Sequence, residues 1–221
     1  MKQGTLYIVS TPIGNLEDIT LRALRILKEV DSIAAEDTRH TKILLDRYDI
    51  HKPLISYYSF NKLQKKDKII ALLEEGKKIA LVSDAGTPGI SDPGAVLIKS
   101  AIEKNITITA IPGPAALIMA LVISGKPTNK FIFEGFLSNK SAKRRKQLEK
   151  LKDEKRTIII YESCHRITKL LGDIADVMDD REIALARELT KKFEETKRAK
   201  ASVLLRHFSD TKPRGEFIVI I

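Results

Sequence analysis

The sequence predicts an α/β fold in two domains, residues 1–124 on a mainly parallel sheet and residues 125–221 on a mixed one, with a cleft between them. Three observations carry this. Short apolar runs alternate with amphipathic stretches of helical period, the order of a parallel sheet covered by helices. Several apolar runs end in loops rich in glycine and proline. A polar segment, Ser124 to Asn129 (SGKPTN), then interrupts the alternation with Gly125 and Pro127 and marks the boundary.

In the first domain Leu6–Ser10 is the opening strand. Leu21–Val30 is a helix with Leu21, Leu24 and Leu27 on one stripe, and Asp18 stands where an N-cap belongs. Ser32–Ala35 is a strand and Thr38–Tyr48 a helix; Lys62–Glu75 is helical and stops at Gly76. Ile79–Val82 is a buried strand, Ala95–Ile102 its helix, and Ile106–Ile111 the next strand. Ala115–Ile123 is apolar all round, the pattern of a buried helix. The second domain has strands at Lys130–Phe133, Thr157–Tyr161, Ile183–Ala186 and Glu216–Ile221. Helices at Ala142–Leu151, Ile167–Met178 and Ala199–Phe208 separate them.

Hydrophobic content of 43% and charged content of 31% fit a globular protein with a core, and no apolar run approaches the roughly 20 residues of a membrane helix. The opening MKQGTLYIVSTP enters a strand with no signal-peptide cleavage site, and the single cysteine, Cys164, excludes an intramolecular disulfide. A cytoplasmic protein is expected. The net charge of +10 is uneven: from Lys126 onward 23 Lys and Arg face 15 Asp and Glu, against 16 and 14 before it. A basic half suits a polyanionic partner.

The most informative segment is Ser83 to Gly94 (SDAGTPGISDPG), a strand-to-helix loop with three glycines and two prolines. Glycine admits close backbone approach to a ligand, and proline holds the loop's shape. Two further loops resemble it: Thr11 to Leu16 (TPIGNL) and Ile111 to Ala116 (IPGPAA). In an open parallel sheet all three meet at the carboxyl ends of the strands, where ligands bind. No GxxxxGK[ST] and no GxGxxG after a strand is present, so the pocket need not hold a nucleoside triphosphate. Glu36, Asp37, Thr38 and Arg39 (EDTR) end the second strand at the same rim. Two readings stand: Asp37 caps the next helix with Arg39 paired to it, or an acid faces the substrate while Arg39 contacts a phosphate.

In the second half YESCHR (Tyr161–Arg166) and RELTKKFEE (Arg187–Glu195) leave strands. Cys164 beside His165 lacks an acid to orient the histidine, which argues against a thiol nucleophile. His40, His51, His165 and His207 lack metal-ligand spacing. The run Lys140–Lys146 (KSAKRRK) reads as a solvated face, or as a phosphate contact if the substrate is a nucleic acid.

LYIVSTPIGNLEDIT, AAEDTR, SDAGTPGISDPG, IPGPAA, YESCHR, RELTK with FEE, and the closing GEFIV occur in one order from Leu6 to Ile221. Together they resemble the ribosomal small subunit methyltransferase I family, 16S rRNA cytidine-2′-O-methyltransferases of the tetrapyrrole-methylase-like superfamily. Two departures stand out: Cys164 occupies a position the family usually fills with proline, and many members continue past the GEF strand.

The resemblance implies a homodimer that binds S-adenosylmethionine between its two domains and acts on 16S rRNA of the small ribosomal subunit. Thr11, Pro12 and Gly14, then Ser83, Asp84, Ala85, Gly86 and Thr87, then Pro114 and Ala115 would line the cofactor pocket. Phe136 and the segment Ala186 to Thr190, with Glu188 and Leu189, would face the adenosine. The expected reaction is in-line attack of a ribose 2′-hydroxyl on the sulfonium methyl, with no metal required. Asp37 and Glu36 are the candidates for orienting the hydroxyl or taking its proton, Asp37 preferred, and Arg39 would anchor a neighbouring phosphate. Tyr57, Tyr58 and Phe60 would stack on a base or fill the core. The alternatives are methylation of a small molecule such as a tetrapyrrole, and RNA binding without catalysis.

Overall fold

A computed structural model describes residues 3–57 and 62–221; Tyr58 and Phe60 lie outside the described residues. The chain divides into two compact units, Met1–Ala115 and Ala116–Ile221. The helix expected to close the first domain therefore goes with the second.

The first unit runs β1 (Thr5–Val9), α1 (Leu21–Glu29), β2 (Ser32–Ala35), α2 (Thr38–Arg47), β3 (Leu54–Ser56), α3 (Lys62–Glu74), β4 (Lys78–Val82), α4 (Gly94–Glu103) and β5 (Thr107–Ile111). The strands form one sheet in the order β3-β2-β4-β1-β5, every pair parallel. Period-two alternation sends its side chains to two cores. Val9, Ile33, Ala35, Ala80 and Val82 pack under α1 and α2, while Leu6, Ile8, Ala34, Ile79 and Leu81 pack under α3 and α4. Helices leaving adjacent strands β2 and β4 thus cover opposite faces, which opens a crevice between the two strand ends.

Two local expectations are corrected here. The N-cap of α1 is Thr20, whose hydroxyl accepts from the Ala23 amide at 3.1 Å; Asp18 closes a short 3-10 turn over Leu16–Asp18 instead. The buried stripe of α1 is Ala23, Ile26 and Leu27 with Val30 behind it, an i, i+3, i+4, i+7 set, and Leu21 is 86% exposed.

The second unit runs α5 (Ala116–Ser124), β6 (Phe131–Phe136), α6 (Ser141–Leu151), β7 (Thr157–Ser163), α7 (Ile167–Val177), β8 (Glu182–Arg187), β9 (Glu195–Lys200), α8 (Ala201–Asp210) and β10 (Glu216–Ile220). Its sheet, β6-β7-β10-β8-β9, is mixed: β6 and β7 are parallel, and β10 runs antiparallel to both β7 and β8. Helices α6, α7 and α8 cover one face, over Ile158, Ile160, Ile183, Leu185, Phe217 and Val219. Helix α5 lies on the sheet through Leu117, Ala120, Leu121 and Ser124. Its apolar surface is not all buried, as the sequence suggested, since Met119 and Val122 are 43% and 64% exposed.

The Lys140–Lys146 run is not simply a solvated face. Arg144 is buried and donates to Asp173 Oδ2 on α7 at 2.7 Å through Nε, and Arg145 pairs with both Asp173 and Asp176. Strand β9 is not among the expected elements, since its residues ETKRAK carry no apolar alternation; it pairs with β8 at the edge of the sheet.

Candidate active site

With all five strands of the first sheet parallel, the loops after β1, β2, β4 and β5 leave from one edge. Hydrogen bonds knit them together. The amides and carbonyls of Thr11 and Gly86 exchange a reciprocal pair, at 2.9 and 3.1 Å, and the Thr11 hydroxyl donates to the Ser83 carbonyl at 3.0 Å. Ser10 Oγ and Thr87 Oγ1 lie 2.9 Å apart, and the Thr87 hydroxyl also reaches the Pro114 carbonyl at 3.1 Å. The Asp37 amide donates to Asp84 Oδ1 at 2.9 Å and so ties the β2 end to the β4 loop. The polar floor formed by Ser10, Thr11 and Ser83 is almost fully buried.

Glycine is required twice in this edge. Gly86 has φ +83°, and a Cβ there would stand 3.4 Å from Ile13 and 3.6 Å from the Pro114 carbonyl. A Cβ on Gly113 would come within 2.8 Å of Ser10 Cβ. The structure thus brings Thr11, Ser83, Asp84, Gly86, Thr87 and Pro114 into one bonded cluster, flanked by buried Pro12 and half-buried Ala115. Gly14 and Ala85 are exposed at its rim. Backbone groups framed by glycine and threonine suit a small polar ligand.

The acidic pair divides sharply. Asp37 is the N-cap of α2: its Oδ1 accepts from the Arg39 amide at 2.8 Å, and its Oδ2 pairs with the Arg39 guanidinium at 2.6 Å. Those Arg39 hydrogen bonds hold its carboxyl far below the usual range. Arg39 itself is 90% exposed. Glu36 behaves oppositely. Burial, followed by the charges of Asp84, Asp92 and Asp37, pushes its carboxyl upward, and a hydrogen bond from the Asp84 amide offsets this only in part.

Glu36 lines a crevice with Tyr57, Leu81, Ser83, Asp92 and Gly94. Asp92 accepts from the Gly89 and Gly94 amides at 2.9 and 2.6 Å, yet burial still raises its carboxyl. The buried Tyr57 hydroxyl, beside the Leu97 amide and Asp92, finds no partner of hydrogen-bonding distance and angle among the described residues. Tyr57 is core, not a stacking platform. Asp92 is not among the expected site residues, although its place as the second acid of SDAGTPGISDPG is a signal available in the sequence.

On the second unit, Phe136 is 53% exposed at the end of β6, edge-on to Tyr161 at 5.7 Å, with the Arg166 guanidinium 6.0 Å above its ring. Arg166 pairs with buried Glu162 at 2.7 Å. After β8, Glu188 and Thr190 take φ of +50° and +64°, and Leu189 between them is buried. A Cβ on Gly215 would fall 2.3 Å from Glu188 Cδ, so glycine is needed for the Glu188 side chain to lie there. Burial raises the Glu188 carboxyl, but Lys191, the Glu216 amide and Arg187 outweigh it and hold the group low. Cys164 packs against the core and His165 is exposed; no metal-binding cluster exists among the described residues.

Comparison with known proteins places this geometry. The family model for tetrapyrrole (corrin/porphyrin) methylases matches residues 5–204. Among solved structures, uroporphyrin-III-C-methyltransferase from Thermus thermophilus superposes with a TM-score of 0.70 at 18% identity, over 99% of this chain and 94% of that one. Diphthine synthase does so with a TM-score of 0.72 at 14% identity, over 98% and 90%. At these identities the likeness establishes the fold alone. Sequence relatives carry more. The ribosomal RNA small subunit methyltransferase I of Thermotoga maritima is 50% identical over 218 residues, 99% of this chain and 98% of that protein. That of Escherichia coli O157:H7 is 48% identical over 222 residues, 99% of this chain and 78% of its own length. With about half its residues shared along nearly its whole length, the chain belongs to the ribosomal RNA small subunit methyltransferase I family, within the tetrapyrrole methylases.

Proposed function

We propose that this chain transfers a methyl group from S-adenosylmethionine to the ribose 2′-oxygen of a cytidine in 16S rRNA. The observation that carries this is the cradle closed by the reciprocal Thr11–Gly86 bonds, found in a chain half identical to methyltransferases named for small subunit rRNA. When bound, S-adenosylmethionine supplies an electrophilic methyl on a sulfonium. Thr11, Pro12, Gly14, the Ser83–Thr87 backbone, Pro114 and Ala115 hold it in this reading, and Phe136, Glu188 and Leu189 are the proposed adenosine contacts of the second unit.

The chain's own remaining task is to orient the hydroxyl and hold its proton. Of the two acids, Glu36 suits the proton better. Its surroundings favour the protonated form, whereas Arg39 holds Asp37 ionised and occupied. Asp37 then positions the edge, through its cap on α2 and its amide on Asp84. Arg39, exposed at the rim, is the proposed phosphate anchor. A homodimer is proposed as well, and the exposed apolar residues Met119 and Val122 of α5 support it.

The test offers the protein unmodified small ribosomal subunits and, separately, uroporphyrinogen, each with S-adenosylmethionine, and reads methylation by mass spectrometry. Methylated rRNA ribose with untouched tetrapyrrole is expected. The reverse pattern would replace this reading with the small-molecule one.

A further inference from the structure

We propose that the solvent face of α6, where Lys143, Lys146 and Lys150 form one row, is a contact surface for the phosphate backbone of the RNA substrate, an inference that rests on the rRNA reading above. The basic run from Lys140 to Lys146 divides by partner. Its two arginines face α7, where Arg144 and Arg145 take up Asp173 and Asp176. Asp179 is taken by Lys152. The three lysines point the other way, exposed, and pair with no carboxylate among the described residues.

Spacing of i, i+3 and i+7 puts the three ammonium groups on one stripe, spread over about 10 Å of helix axis. Like charges at these spacings repel, and Glu149, the helix's single acid, forms no ion pair with them. The start of the helix adds to the cost. Lys140 is its N-cap without a side-chain capping bond, and no acid stands in the first turn, where the helix dipole disfavours cations. A helix kept only for packing would gain from acids at these positions. A bound polyanion offsets every one of these repulsions.

The chemistry of the partner follows. Flexible ammonium groups that stack on no aromatic ring among the described residues suit phosphates rather than bases, so the row positions RNA without reading its sequence. A lipid surface is a poorer fit, because no large apolar side chain is exposed on α6 to enter it. The row also begins just after Phe136, at the carboxyl end of β6, so RNA lying along it would pass the rim of the second unit's strand ends.

The test uses the full chain and unmodified small ribosomal subunits, with binding measured between 50 and 200 mM salt. For K143Q/K146Q/K150Q, the slope of log affinity against log salt should fall in magnitude by about 2 to 3, with binding on the order of 100-fold to 1,000-fold weaker near 0.1 M salt. K143R/K146R/K150R should keep the wild-type slope, and S-adenosylmethionine affinity should be unchanged in both. K28Q/K68Q/K77Q, which removes three exposed lysines of the first unit that form no ion pair among the described residues, should alter the slope little. A wild-type slope in the α6 glutamine variant, or an equal drop in the first-unit variant, overturns the proposal. If the wild-type protein neither binds nor methylates the subunits, the rRNA reading itself fails and the α6 surface fails with it.

Discussion

The Asp37 backbone amide donates to Asp84 Oδ1 at 2.9 Å, so the ends of β2 and β4 are held by a side chain rather than by the sheet alone. Asp84→Ala leaves this half-buried amide without its acceptor and is expected to cost about 1–2 kcal/mol in urea unfolding. Asp84→Asn keeps an acceptor oxygen and should recover most of that loss.

Neighbouring acids Glu36 and Asp37 should respond to pH with opposite signs. The folded pKa of Asp37 lies below its ordinary 3.8, so its contribution to stability is present above about pH 4 and is lost as pH falls. The folded pKa of Glu36 lies above its ordinary 4.5, so stability is lost as pH rises through that value. Glu36→Gln should therefore raise Tm at pH 7, lose that advantage below pH 4.5, and lower turnover at least about 100-fold with S-adenosylmethionine binding intact. Asp37→Asn keeps a cap for α2 and should retain most turnover at saturating substrate. The opposite ranking in turnover would return the proton to Asp37.

Gly86 sits at φ +83° in the bond pair with Thr11. Gly86→Ala should cost about 1–2 kcal/mol of stability from the left-handed backbone. Because it distorts the proposed cradle, it should also weaken S-adenosylmethionine binding in calorimetry, while Gly125→Ala, also at positive φ but outside the cradle, should not.

Arg144 and Asp173 form a pair whose side chains are 3% and 10% exposed. Asp173→Ala strands the arginine charge in the core and should cost about 3–5 kcal/mol by urea denaturation. A loss below about 1 kcal/mol would show that Arg144 finds solvent instead.

The strands were legible where burial on both faces makes a continuous apolar run, as in Ile79–Val82 or Thr157–Tyr161. Strand β9 was not, because an edge strand half open to water can be written ETKRAK. Helix α5 misled in the other direction: composition shows that Ile118, Met119, Val122 and Ile123 are apolar but not what covers them. At the start of α1, Asp18 and Thr20 are both good capping residues, and only the backbone turn over Leu16–Asp18 makes Thr20 the cap. At the site, the three Gly- and Pro-rich loops were readable because a parallel sheet gathers strand ends. The contrast between Glu36 and Asp37 was not, since it arises from Asp84, Asp92 and Arg39 arranged in space.

The most direct measurement incubates the protein with radiolabelled S-adenosylmethionine and small ribosomal subunits from cells lacking this methyltransferase, then maps the label by nuclease digestion. Label on a single cytidine 2′-oxygen of 16S rRNA is expected. Label on a base, or none when calorimetry shows the cofactor bound, would contradict the proposed reaction.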